Sequence, residues 1–188
     1  MKIVEKVRDF FWKRAVYQVL SNNKRRKKSI SLSEAKSVGI YADYTDEKQF
    51  AQIQSLGTDL QKQGVSVKTL LYVDANIKPE HIMENTYLGM FTRRDLAFNR
   101  VPKIELLTFY KQFMQTDFDI LLDLSLKSNY QDVYILASSQ ARFKVGKNEG
   151  PWSEKVNDLS FVYANGTSLT EYIKLIMQYI ENFKSDNL

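Results

Sequence analysis

Residues 118–146, "FDILLDLSLKSNYQDVYILASSQARFKVG", read as a strand (118–125), a helix (129–140) and a second strand (141–146). The first apolar run is short and nearly continuous, as expected for a strand covered on both faces. A single helix between two such runs is the crossover that parallel neighbours require. The same alternation continues in both directions. Upstream, "SVGIYAD" (37–43) and "SVKTLLYVD" (66–74) are strands. Between them residues 45–64 carry Phe50, Ile53, Leu56 and Leu60 at helical spacing, with Thr45 as the expected cap and Gly64 as the stop. A short helix is expected from Pro79, a strand within "YLGMFTRRD" (87–95), and a helix over 102–117 with Pro102 near its start. Downstream, residues 158–165 form a strand and 168–184 a closing helix with a Ser168–Glu171 capping box.

This alternation predicts an α/β fold: a doubly wound, mostly parallel sheet of flavodoxin- or Rossmann-like type, a three-layer sandwich with an N-terminal amphipathic helix. Ile40, Leu71, Leu121, Leu122, Phe143 and Val162 are its expected buried sheet residues. The chain divides into a basic helix and linker (1–36) and one α/β domain (37–188).

The charge supports that division. Residues 1–36 hold 11 Lys/Arg against three acids, a net +8, whereas the rest of the chain carries a net −3. A nucleic-acid groove across the main sheet is therefore not indicated. There are no cysteines, which removes thiolate catalysis and Cys-ligated metals, and His81 is the lone histidine. No cofactor and no metal site is expected. No stretch is long and apolar enough to span a bilayer, and Glu5, Arg8, Asp9, Lys13 and Arg14 interrupt any signal-peptide core. A cytoplasmic location is inferred.

Ligands of open α/β sheets bind beyond the carboxyl ends of the strands. That rule nominates Asp43, Tyr44, Asp74, Ser125 and Lys147, with Lys127 and Gly146 beside the last two. Asp, Ser and Gly also end strands for purely structural reasons, and that reading is preferred. "YADYTDEKQF" after the first strand lacks the glycines that let a backbone approach a pyrophosphate. "GKNEG" (146–150) lacks the Ser/Thr and following helix of a phosphate loop. Gly146 is expected to let the chain turn. Asp117 and Asp119 begin their strand, the wrong end for a site.

In residues 1–20, Ile3, Val4, Val7, Phe10, Phe11, Ala15 and Val19 fall on one broad face, with Lys2, Lys6, Asp9 and Lys13 on the other. Lys24, Arg25, Arg26, Lys27 and Lys28 follow as a continuous cation run. Three readings stand: a helix packed on the domain with a solvated linker, electrostatic attachment to RNA, and an interfacial membrane helix. Glu5 and Asp9 count against the third.

Residues 118–150 resemble the strand–helix–strand of one half of two-domain, heptosyltransferase-like glycosyltransferases, through Asp119, Asp123, Leu124, Ala141, Arg142 and Gly146. Those enzymes hold a nucleotide-sugar between two such domains, and this chain is too short for both. The resemblance therefore implies a shared fold fragment. The whole order, from basic helix to terminal amphipathic helix, is similar to a family of small bacterial proteins of unknown function. That likeness implies the same α/β fold and no activity. The expected function is a non-catalytic binding or adaptor domain, with residues 1–36 docking a protein or ribonucleoprotein partner. The alternative is a nucleotide- or sugar-phosphate-binding enzyme related to the glycosyltransferases.

Overall fold

The computed structural model describes residues 2–76, 78–103, 108–127, 129–164 and 166–182. Helix α1 (Lys2–Asn22) precedes β1 (Ser37–Tyr44), α2 (Glu47–Lys62), β2 (Ser66–Val73) and β3 (Leu88–Thr92). Then come α3 (Thr108–Gln115), β4 (Ile120–Asp123), α4 (Tyr130–Ser138), β5 (Phe143–Lys147), α5 (Ser153–Val156), β6 (Leu159–Phe161) and α6 (Leu169–Asn182). The six strands form one sheet in the order β3-β2-β1-β4-β5-β6, with every pairing parallel. This is the doubly wound order whose direction reverses between β1 and β4.

Alternation along the strands builds two cores. Val38, Ile40 and Ala42 of β1 join Leu71, Ile120 and Leu122 on the face covered by α2 and α6. Tyr41, Leu70, Phe91 and Leu121 pack on the other face beneath α3 and α4. Helix α1 lies outside α4, contributing buried Trp12 and Val16 to the second core. Five of the six expected sheet residues are buried; Val162 is not. It lies one residue past β6 at 76 % exposure, because this edge strand pairs over only three residues.

Other local expectations shift. Asp46 rather than Thr45 caps α2, accepting from the Gln49 N–H at 2.8 Å. Residues after Pro79 make a turn and no helix. Pro102 sits in an isolated antiparallel bridge with Leu96, and α3 is described only from Thr108; residues 104–107 of the expected helix lie outside the described residues. Gly146 does not turn the chain. It lies within β5 under the Asn157 side chain, where a Cβ would come within 2.9 Å of the amide. The Ser168–Glu171 box is formed, with both residues bonding each other's backbone N–H.

Candidate functional site

The reversal point between β1 and β4 gathers a polar cluster at the carboxyl ends of three strands. Asp43 ends β1, Asp123 ends β4, Lys147 ends β5, and Asp132 comes from the first turn of α4. Asn129 caps α4, accepting from the N–H groups of Gln131 and Asp132 at 2.8 and 2.9 Å. Asp132 accepts in return from the Asn129 N–H at 3.0 Å, closing a capping box. The same Asn129 donates its side-chain amide to both carboxylate oxygens of Asp43 at 3.0 and 2.9 Å. One capping residue therefore fixes the helix start and ties it to β1.

Lys147 fills the crevice. Its ammonium donates to Asp132 at 2.8 Å and to the Ser125 carbonyl at 3.0 Å, and reaches Asp123 at 3.4 Å. Lys147, Asp123, Asp132 and Ser125 are all buried. Burial alone would lower the Lys147 pKa, but the facing carboxylates of Asp123 and Asp132 outweigh it and hold it above the ordinary lysine value. Burial also pushes Asp132 well up, against the pull of Lys147. Asp43 rises to about 7, chiefly through burial, with Lys147 opposing and Asp123 adding to the shift. The Tyr41 hydroxyl is raised by burial and then by Asp132, Asp43 and Asp123. The arrangement is an internal ion cluster in which the Lys147 ammonium is fully engaged, while Asp132 Oδ1 and the hydroxyls of Ser125 and Tyr41 are buried without a hydrogen-bond partner among the described residues. Chemically it stores one cation against several carboxyls, so Lys147 is not free to meet a phosphate.

Of the expected residues, the structure thus brings together Asp43, Ser125 and Lys147, but Lys147 is engaged inside the molecule and Ser125 is buried, offering it a backbone carbonyl. Tyr44 faces outward, its hydroxyl 3.2 Å from His81 Nε2. Asp74 lies in an adjacent cavity of about 560 Å³, whose walls include Arg8, Tyr72, Arg93, Arg100 and Tyr130. Each arginine there already has a carboxylate: Arg93 binds Asp74, Arg100 binds Glu5 and Asp9, and Arg8 binds Glu5. Among the described residues, no group of three or more His, Asp or Glu is placed to hold a metal ion.

Sequence reasoning passed over Asn129, Asp132 and Arg100. The Asn129–Asp132 spacing just after a strand was a legible capping signal. Arg100 carried none, because its role depends on contacts about 90 residues away. It holds a left-handed backbone (φ 63°), lays its guanidinium 3.9 Å from the Tyr130 ring centroid, and grips Glu5 and Asp9 of α1. Tyr130 adds a hydroxyl bond to Asp9 at 2.8 Å and accepts at its carbonyl from the Trp12 indole at 3.1 Å.

The basic run is not a free linker throughout. Arg25 turns inward, donating to the carbonyls of Ala141 and Arg142 and pairing in a fork with Asp158 at 2.7 and 2.8 Å. Lys24, Arg26, Lys27 and Lys28 remain exposed. The face of α1 that packs also differs from the apolar face expected. Trp12 and Val16 are buried, with Ala15, Val19 and Leu20 beside them. Ile3, Val4, Val7, Phe10, Phe11 and Tyr17 are exposed.

Comparison with known proteins adds one finding. A family model described as "Family of unknown function (DUF6913)" matches residues 8–183. No curated protein and no solved structure matches the chain.

Proposed function

The chain belongs to this family of unknown function, and from its geometry we propose that it is a non-catalytic cytoplasmic binding domain. It attaches to a partner through the outward face of α1 and the exposed cations that follow. One contrast carries this reading: the position where the fold holds ligands is plugged, while a helix elsewhere displays apolar and cationic side chains. Lys147 occupies the strand-end crevice with its own carboxylates. A sugar-phosphate enzyme built on this sheet would need Asp43, Asp74, Ser125 and Lys147 to converge on an opening. Here two of them are buried and engaged.

At the far end of the docking face Tyr17 meets Trp152 and Lys155, and Lys27 reaches Asp158. Ile3, Phe10 and Phe11 project away from the body that Trp12 and Val16 pack against. The decisive measurement is the sedimentation of the full chain in an extract of its own cells. The intact protein is expected in a fast-moving fraction, and the Ile3→Ser/Phe10→Ser/Phe11→Ser variant in the slow fraction of a free monomer. Both running as free monomers would end the docking reading. A ligand that raises the melting temperature of the protein only while Lys147 is present would replace it with the enzyme reading.

A further inference from the structure

Residues 2–22 of α1 are pinned to the body along one side. Glu5, Arg8, Asp9, Trp12, Val16 and Val19 recur at three- and four-residue intervals and share that side. Arg100 holds the first turns through Glu5 and Asp9, Trp12 stacks edge-on against Tyr130 and Trp152, and Asn23 donates to the Ala137 and Ser139 carbonyls at the end of α4. The opposite side, at the same periodicity, presents Ile3, Val7, Phe10 and Arg14, with Val4 and Phe11 beside them, and ends at Tyr17, which leans back on Trp152 and Lys155. Ile3 and Phe10 are 78 % and 62 % exposed, unusual for side chains of this size. Lys2, Lys6 and Lys13 run along one margin of the stripe, all exposed.

The acids decide between occupants. From sequence alone, Glu5 and Asp9 weigh against contact with an anionic surface. In the structure both lie on the side facing the body, still 46 % and 40 % exposed, and are ion-paired with Arg100, with Arg8 also on Glu5. The outward face of α1 therefore carries only apolar, neutral polar and cationic groups. Lys24, Arg26, Lys27 and Lys28 extend the positive charge past the helix end.

Resting on the docking reading above, we propose that α1 lies in the interface of an anionic lipid bilayer, its axis parallel to the membrane. Ile3, Val7, Phe10 and Phe11 enter the boundary between headgroups and acyl chains. Lys2, Lys6, Lys13 and Arg14 bury their methylene stems and carry their charges to the headgroups. No helix among the described residues is long and apolar enough to cross a membrane, so the attachment is peripheral. Because the body already holds α1 folded, binding does not incur the ordering cost that an unstructured amphipathic peptide meets. RNA would use the cations and leave the aromatic stripe in water. A second copy of the chain would bring like charge against like charge.

The test is co-sedimentation of the purified full chain with vesicles of phosphatidylcholine alone and of phosphatidylcholine with about a third phosphatidylglycerol, at low and high salt. Binding is expected only with the anionic lipid and is expected to weaken with salt. Phe10→Ser/Phe11→Ser should abolish it. Lys2→Gln/Lys6→Gln/Lys13→Gln should weaken it by roughly fivefold per charge removed. These side chains face outward, so unchanged Trp12 fluorescence and unfolding midpoints will show that the variants are folded. Failure of the intact protein to bind anionic vesicles overturns the proposal. So does binding to phosphatidylcholine alone that survives both sets of variants. Without vesicle binding, a dimer that Phe10→Ser/Phe11→Ser dissociates assigns the face to a second copy. RNA association that needs the lysines and not the phenylalanines assigns it to nucleic acid. Either of those results would leave the docking reading standing and remove the membrane. A chain that stays in the fast fraction of a detergent-treated extract would do the same.

Discussion

Lys147 shows how one side chain can decide what a strand end is for. A lysine following "FKVG" would suit a phosphate if it pointed into an open crevice. In this molecule it answers two buried carboxylates that would otherwise be uncompensated. Lys147→Met keeps much of the side-chain volume and removes the charge, leaving Asp123 and Asp132 without their cation. The loss is expected to be about 3–5 kcal/mol in chemical denaturation, the range for breaking a buried pair by removing one partner. Asp43 behaves differently, since its carboxyl titrates near 7 when folded and at the ordinary 3.8 when unfolded. Between those values the folded state holds the extra proton, so this residue makes stability fall as pH rises through the window. Asp43→Asn should flatten that fall by up to about 1.4 kcal/mol per pH unit. Asp132, raised in the same direction, leaves a residual slope. Unfolding midpoints from pH 4 to 8 read both effects.

At the scale of elements, the run Lys24–Lys28 separates into two jobs that its uniform charge conceals. Arg25 is a structural clamp between the entry to β5 and Asp158; its neighbours face solvent. Arg25→Gln alone is expected to cost about 2–4 kcal/mol, because Asp158 loses the fork that offsets its burial. Replacing Lys24, Arg26, Lys27 and Lys28 by Gln should each change stability by less than about 0.5 kcal/mol. Thermal unfolding of Arg25→Gln beside the four single variants distinguishes the two jobs. The expectation that all five cations occupy a solvated linker fails here for a definite reason: composition reports a residue's charge but cannot report a carboxylate more than 130 positions away. The same limit explains α1. Apolar residues occur on both sides of the helix, so periodicity alone could not say which side the body would take. Trp12, following Phe10 and Phe11 and preceding Lys13 and Arg14, is the one buried most deeply in the first three turns.

For the whole molecule, the legible part was what repeats. Six apolar runs, each separated by room for a crossover, suffice for a parallel sheet, and all six appear as strands in the expected order along the chain. Spatial order and the contents of the crevice were not legible, because both depend on pairings such as Tyr41 with Asp123 across some 80 residues. The absence of glycines after β1 and the buried cluster at the strand ends both argue against nucleotide binding. Adenine and uridine nucleotides and nucleotide-sugars at millimolar concentration should leave the melting temperature unchanged, since a ligand that does not bind the folded state cannot stabilise it. A rise of several degrees in a thermal-shift screen would contradict this.

The indole bond from Trp12 to the Tyr130 carbonyl joins residues 118 positions apart. On a ribosome adding about 5–20 residues each second, roughly 6–24 s pass between the synthesis of the helix and that of its seat. For most of that interval the inward side of α1 lacks its seat: Arg100, the partner of Glu5 and Asp9, follows only about 90 residues later, and Trp12 and Val16 wait uncovered. The outward stripe will meet its surroundings in the finished protein. The inward Trp12 and Val16 meet them only in the nascent chain, before α4 is made to cover them.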